Sequence, residues 1–435
     1  MPSWRNWSGL VRCRPHEVLR PASEEELAAA LPRARPPIRV AGSGHSFTPL
    51  CATDGTLILP DRLTGVVDHD AERHEATVFA GTPIHELGQL LYARGLGLVN
   101  QGDIDRQAIG GAVGTGTHGT GETLGSLSTA VTGVRIVCPD GQVVDADAES
   151  RPEVLAAAQV SLGALGVITR LRLKCRPAYR LMEREWTMPA EEVLENFGAL
   201  AARHRHFEFF WFPYAERVIC KALDETDEPA PEPRGAPHGD AMSGRDRLAA
   251  LLFETARRAP FLSAAVQRLF TDELAKALPE APPETGKIRW SHEAFPSPRP
   301  IRFNEMEYAL PRARGLEALR TLVETVRSKR LRTAFPVEVR TVAGDRIPLS
   351  PLEGRDCITI AVHQYYKQPF ETWFREAETI FRAHDGRPHW GKLHTLRGPE
   401  LKSLYPHWAA FQAVRRELDP KGRMLNAHLH ALFRG

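Results

Sequence analysis

Over the first 178 positions the apolar residues fall in short runs broken by turn residues, a pattern that predicts strands more often than helices. Ile38-Arg-Val-Ala41 runs into Gly42-Ser-Gly44, and Thr77-Val-Phe-Ala-Gly81 precedes a segment from Pro83 to about Arg94. In that segment Ile84, Leu87, Leu90 and Leu91 keep helical spacing, and Pro83 suits a helix's first turn. Residues 134–137 and 142–145 flank Asp140-Gly141, which predicts a hairpin. Residues 168–174 alternate apolar and polar, as a half-buried strand does. The region reads as α+β, without a clean βαβα repeat.

From Tyr179 the pattern changes. Glu208-Phe-Phe-Trp-Phe212 is an apolar strand, and residues 224–239 (DETDEPAPEPRGAPHG) are acidic and proline-rich, hence an exposed loop. Residues 248–278 read as helical. Strands over 303–310, 337–340 and 357–363 surround a helix in which Leu316, Leu319, Leu322, Val323 and Val326 recur. A helical tail from Leu401 carries Trp408, Phe411 and Val414 and ends in the segment 423–433. Three parts result: 1–178, 179–395 and 396–435.

Composition narrows the class without naming a chemistry. The 435 residues are about three times the commonest domain length. With 56 basic and 54 acidic residues, the net charge of +2 argues against nucleic acid or a membrane surface as partner. No run approaches the ~18 apolar residues of a membrane span, and the first residues lack a secretory signal's pattern, so a cytoplasmic protein is expected. The six cysteines are scattered and expected to be reduced. His389 and His394 have no carboxylate or cysteine at ligand spacing and HExxH is absent, so no metal is expected.

The chemical signal sits in two glycine-rich segments. Arg39-Val-Ala-Gly-Ser-Gly-His-Ser46 ends a strand, and its glycines let backbone N–H groups converge on an anion. From Gly110 to Gly121, nine of the twelve residues are Gly or Thr. Such density in an ordered core implies close approach to a large, phosphorylated ligand. Gly114, Gly116 and Gly119 satisfy GxGxxG, yet residues 120–132 make a poor helix, so a nicotinamide βαβ site is not expected; no P-loop occurs.

Taken together, Ala41-Gly-Ser-Gly-His-Ser46, Gly102-Asp-Ile-Asp105 and Gly114-Thr-Gly-Thr-His-Gly119 resemble the vanillyl-alcohol-oxidase type of flavoprotein. The resemblance is closest to the sugar-1,4-lactone oxidases (the D-arabinono- and L-gulono-1,4-lactone type) and the related alditol oxidases. It continues through Asn304-Glu-Met-Glu-Tyr308, Val337-Glu-Val-Arg340, Arg387-Pro-His-Trp-Gly-Lys-Leu-His394 and Leu418-Asp-Pro-Lys-Gly-Arg-Met-Leu-Asn426. It implies a two-lobed FAD-binding domain over 1–178, a sheet-and-helix cap for substrate over 179–395, and a C-terminal segment returning to the first domain. It further implies FAD joined covalently to the His45 imidazole, with Gly42, Ser43, Gly44, Ser46, Gly102, Asp103, Gly111, Gly114, Thr115, Thr117, His118 and Gly119 at the cofactor.

Oxidising a carbinol requires a hydride acceptor and charge placed where the oxygen becomes anionic. Glu338 and Arg340 alternate on one strand and face one side. By resemblance, Arg340 and Lys392 contact the reactive hydroxyl, and Glu338 binds neighbouring hydroxyls or holds Arg340. Glu305 and His363 are further substrate contacts. Each also has a plainer reading: Glu338 and Arg340 as a surface strand's alternating charges, Lys392 as a solvent-facing loop lysine and His363 as a satisfied core histidine. Two positions depart from the alditol oxidases: Ala112 stands near where they have a serine, and Tyr365 where they have a threonine. A buried unpaired hydroxyl costs about 1–3 kcal/mol, so a cyclic aldonolactone is favoured over a linear polyol. O₂ is the expected electron acceptor, giving H₂O₂, with a dehydrogenase using another acceptor as the alternative.

Overall fold

The computed structural model describes residues 2–233, 235, 244–297, 299–333 and 335–434, the side chains of 245 and 260 excepted. Two sheets build the first part of the chain. Glu17–Leu19, Thr56–Ile58 and Ile38–Val40 form a small parallel sheet in that order. Beside it an antiparallel sheet runs Val143–Asp147, Val131–Val137, Val167–Pro177, Glu75–Phe79, Val66–Asp70, with Leu96–Leu98 on the far end of Val167–Pro177. The expected hairpin is present, with Gly141 at φ +89° in its turn. The alternation seen at 168–174 buries Leu171 and Leu173 in the same apolar core as Leu87 and Leu91 of the Ile84–Tyr92 helix.

One part of the glycine-rich segment, expected as loop, is a helix: Ile109–Gly114. Glycine is a poor helix former, but close packing explains it here. A Cβ on Gly110 would lie 2.8 Å from the Ala80 Cβ and 2.9 Å from its carbonyl oxygen. The Gly110 amide instead donates to that oxygen, so this turn is bonded onto the sheet.

The second part is an eight-stranded antiparallel sheet: Lys287–Trp290, Arg180–Pro189, Arg217–Glu225, His206–Trp211, Val337–Val342, Cys357–Tyr365, Phe303–Pro311, Arg387–Pro388. Its apolar face, including Phe207, Phe209, Val339 and Ile360, packs under the helices Ala190–Arg203, Arg312–Lys329 and Glu371–Ala383. The opposite face carries charge where it meets the first part. Further along, that face is covered by Gly244–Arg258 and Ser263–Ala277, whose Phe253 and Phe270 meet Phe212, Ile219 and Tyr365. The stretch expected as one helix over 248–278 is therefore two. Pro260, lacking an amide hydrogen, opens the short 3₁₀ turn Pro260–Leu262 between them. Of the expected acidic loop, residues 234 and 236–239 lie outside the described residues, and 224–225 belong to the preceding strand.

The C-terminal segment bonds back onto the first sheet. Ile38 N donates to Arg423 O (2.8 Å), Arg39 Nη1 to Met424 O (2.6 Å), and Asn426 Nδ2 to Pro49 O and Ala52 O (both 2.8 Å). Among the described residues no helix is long and apolar enough to cross a membrane. All six cysteines are free thiols.

Candidate active site

Two cavities adjoin where the charged face of the large sheet meets the glycine-rich segments. The larger, about 980 Å³, lies between Gly42–Ser46 on one side and Gly110, Gly111, Gly114 and Thr115 on the other. Local chain geometry opens it. Gly44 takes φ +73°, and Gly42 approaches so closely that a Cβ there would sit 2.6 Å from the Ala108 Cβ. A Cβ on Gly111 would meet nothing within 4 Å, because that position faces the open cleft. Arg39 lies in the wall and ties it together, donating to the carbonyls of Leu50, Leu162, Gly163 and Met424 at 2.6–2.8 Å.

His45 sits on this wall, its ring stacked on Trp7 at 5.8 Å between centroids. The loop around it is pinned by Trp7 N to Gly44 O (2.8 Å) and Phe47 N to Gly391 O (2.7 Å). Burial, helped by the charges of Lys392 and Arg106, lowers the His45 pKa to about 4, so its imidazole is neutral at pH 7.

The smaller cavity, about 490 Å³, is lined by charged side chains from the sheet and by Gly102, Asp103, Gln107, Thr117 and His118. Sheet register explains the gathering. Lys221, Glu208 and Arg340 are direct cross-strand neighbours, and Glu305 lies opposite His363. Glu338 is two residues from Arg340, and Glu307 two from Glu305, so each pair shares a face. Arg340 donates to Glu208 Oε2 at 2.7 Å, Asp103 Oδ2 at 2.8 Å and Glu338 Oε1 at 2.5 Å. Lys221 Nζ is 3.2 Å from Glu208 and 3.8 Å from Asp103, which also meets Arg299 at 3.1 Å. Lys392 Nζ pairs closely with Glu305, lies 4.0 Å from Glu307, and sits 5.3 Å from the centre of the Phe47 ring. His118 Nε2 is 2.7 Å from Glu307 Oε1.

Burial would push all these carboxyls up, and the neighbouring cations decide the outcome for each. Lys221, Arg340 and Arg299 hold Asp103 well below its ordinary value; Lys392 and His363 hold Glu305 at about 2; His118, His389 and Lys392 hold Glu307 far below. Glu338 goes the other way, to about 7. Burial is the largest cause, and the like charges of Glu208 and Asp103 add to it against the attraction of Arg340. His389 is lowered to about 4 by burial. Glu305, Glu338 and His363 each bring one ligand atom within 4.8 Å of the others, as do Asp103, Glu208 and Glu338. Sequence spacing did not show these clusters, but side-chain ammonium and guanidinium groups already neutralise their oxygens.

The expected residues thus converge. Lys392, Arg340, Glu338, Glu305 and His363 all line the smaller cavity, and Glu338 and Arg340 are only 6% and 8% exposed, not on a solvent-facing strand. Gly42, Ser43, Gly44, His45, Ser46, Gly111, Gly114 and Thr115 line the larger one. Gly102, Asp103, Thr117 and His118, expected at the cofactor, line the smaller cavity. Gly119 lines neither; a Cβ there would lie 2.2 Å from Gln101 O, so it serves close backbone packing. Ala112 is in the wall of the larger cavity and Tyr365 in the aromatic cluster under Gly244–Arg258, so neither reaches the smaller pocket. Glu307, Glu208, Lys221, Arg299 and His389 were not anticipated as site residues. The i, i+2 repeat of Glu305 and Glu307 was a signal for one of them; the others depend on register.

The cavities fit a flavin dinucleotide. Glycines face the cleft without side chains, and Gln107 lines both cavities. Gln107 Oε1, between the two cavities, and Thr117 Oγ1, in the smaller one, are buried without a partner among the described residues, as acceptor and donor awaiting a ligand would be. Comparison with known proteins agrees. Residues 171–432 match the D-arabinono-1,4-lactone oxidase family and residues 15–147 an FAD-binding domain. L-gulono-1,4-lactone dehydrogenase of Mycobacterium tuberculosis is 39% identical over 98% of this chain and 97% of its own length. L-gulonolactone oxidase of Bos taurus is 32% identical (99% and 98%), and alditol oxidase of a Streptomyces species 32% (99% of each). Cholesterol oxidase from Brevibacterium sterolicum shares the fold, with a TM-score of 0.81 at 18% identity over 99% of this chain and 96% of that one.

Proposed function

The chain belongs to the D-arabinono-1,4-lactone oxidase family of FAD-dependent oxidoreductases, and from that premise we propose that it oxidises a carbinol of an aldono-1,4-lactone in the smaller cavity. The observation that carries this reading is the adjacency of the two cavities, which share Gln107 in their walls, with Lys392, Arg340 and Glu338 lining the smaller one. FAD in the larger cleft supplies the hydride acceptor.

The protein's own residues do the rest. Lys392 and Arg340 would place positive charge at the reacting hydroxyl, stabilising the oxygen as its proton passes to solvent water and its carbon gives up hydride. Glu208 and Asp103 fix the Arg340 guanidinium by hydrogen bonds at 2.7 and 2.8 Å, so little reorganisation accompanies the charge change. Glu338, with its pKa near 7, accepts from or donates to neighbouring ring hydroxyls. Glu305 and His363 bind the far hydroxyls, and Phe303 offers the lactone's apolar face a ring. Gly42, Ser43, Gly44 and Ser46 hold the diphosphate region of FAD. His45 carries the flavin covalently; its neutral imidazole keeps a free lone pair on the wall of the cleft, which supports that linkage.

With FAD bound, O₂ would take the electron pair with two protons to give H₂O₂, and the substrate would be of the D-arabinono or L-gulono type. A second reading, a dehydrogenase with another acceptor, is favoured by the 39% relative of that name. Turnover of purified protein with L-gulono- and D-arabinono-lactone and with xylitol, with and without O₂, tests this. Peroxide release with a lactone supports the oxidase, turnover only with an artificial acceptor supports the dehydrogenase, and turnover of polyols alone overturns the lactone assignment.

A further inference from the structure

His118 occupies a position that cofactor support does not account for. Its Nδ1 is 2.8 Å from the Gly119 carbonyl oxygen, which can only accept, so Nδ1 carries its hydrogen. Its Nε2 is 2.7 Å from Glu307 Oε1, and both partners are at most 5% exposed in their side chains. Two bare lone pairs at that distance would repel, so one proton lies between them and the pair is neutral as a unit. The ring of His389 lies 6.0 Å away, and Lys392 and Glu305 complete the surroundings.

The consequence falls on Lys392. Glu305 and Glu307 are buried carboxylates two residues apart on one strand face, and a single ammonium stands near both. It pairs closely with Glu305 and stays 4.0 Å from Glu307 Oε2. An uncompensated buried carboxylate at that distance would draw the ammonium strongly. We propose that His118 is a positioning residue: by sharing its proton with Glu307 it leaves Lys392 seated at Glu305, where its ammonium faces the pocket. This rests on reading the pocket as the carbinol site. It adds a charge partner for Glu307 on the second glycine-rich segment.

The test compares holoenzyme variants by anaerobic flavin bleaching with L-gulono-1,4-lactone, by flavin content, and by calorimetric affinity for a lactone lacking the reacting hydroxyl. His118→Gln keeps a donor near the Nε2 position but has no proton to share, so Glu307 is left charged. Bleaching should slow by roughly 100-fold with flavin content unchanged. His118→Gln combined with Glu307→Gln removes the excess charge and should recover to within about 10-fold of the parent. An equally slow double variant, or a single variant within about threefold of the parent, would overturn the proposal. If the parent itself is not bleached by lactones, the substrate reading fails instead. NMR of protein labelled in its histidine ring nitrogens then decides this inference. His118 should show a proton at both nitrogens in the parent and at one in Glu307→Gln, and an unchanged ring would refute the shared proton.

Discussion

Replacing Glu338 with Gln should change how stability depends on pH, and the structure sets the size of the effect. Glu338 is buried, and its pKa stands at about 7 against an ordinary 4.5. A carboxyl whose folded pKa is raised binds its proton more tightly folded than unfolded. Its stabilising contribution is therefore full below pH 4.5, declines as pH rises toward 7, and is flat above. A shift of that size corresponds to about 3 kcal/mol. Other groups act in overlapping windows: His389 and His394, each lowered to about 4 by burial, make stability rise between pH 4 and 6.5. The absolute profile therefore mixes signs, and the difference between parent and Glu338→Gln isolates one residue. Urea unfolding of both holoproteins at pH 5 to 8 should show the variant gaining on the parent by about 2 kcal/mol or more over that interval. A difference that stays constant across the interval would mean that Glu338 is not the group held half-protonated near neutrality.

Lys392→Met should slow substrate-driven flavin bleaching by roughly 100-fold while flavin content is unchanged; equal bleaching rates in stopped flow would remove Lys392 from the reacting hydroxyl. His45→Ala should leave FAD dissociable by acid, whereas denatured parent stays yellow. An acid-stable adduct in the variant would place the linkage elsewhere. At the neighbouring glycines the expectations diverge. Gly111→Leu projects into open cleft, so the protein should fold with a near-parental unfolding midpoint and little bound FAD. Gly110→Leu collides with Ala80 and should lower the midpoint itself, costing about 1–3 kcal/mol or more. Equal loss of stability in both would refute the distinction drawn between the wall and its foundation.

Much of the fold was legible because local pattern and burial agree. Period-two alternation at 168–174 and the Asp140-Gly141 turn appear where expected, and the strands at 303, 337 and 357 are neighbours in the large sheet. The helix at Ile109–Gly114 was illegible because contact with Ala80, not propensity, permits it. The site divides in the same way. Motif residues such as His45, Glu338, Arg340 and Lys392 were visible in the chain. Lys221 and Glu208 were not, since only the register that aligns three strands brings them to Arg340. His118 was visible as part of a glycine-rich motif, but its partner Glu307 lies 189 residues on, across the interface between sheet and loop.

The most direct test is to mix purified yellow holoprotein with L-gulono- or D-arabinono-1,4-lactone under argon and follow the flavin absorbance. The account predicts bleaching on mixing and return of the colour when an electron acceptor is admitted. A flavin that stays oxidised with every aldonolactone and polyol offered would contradict it.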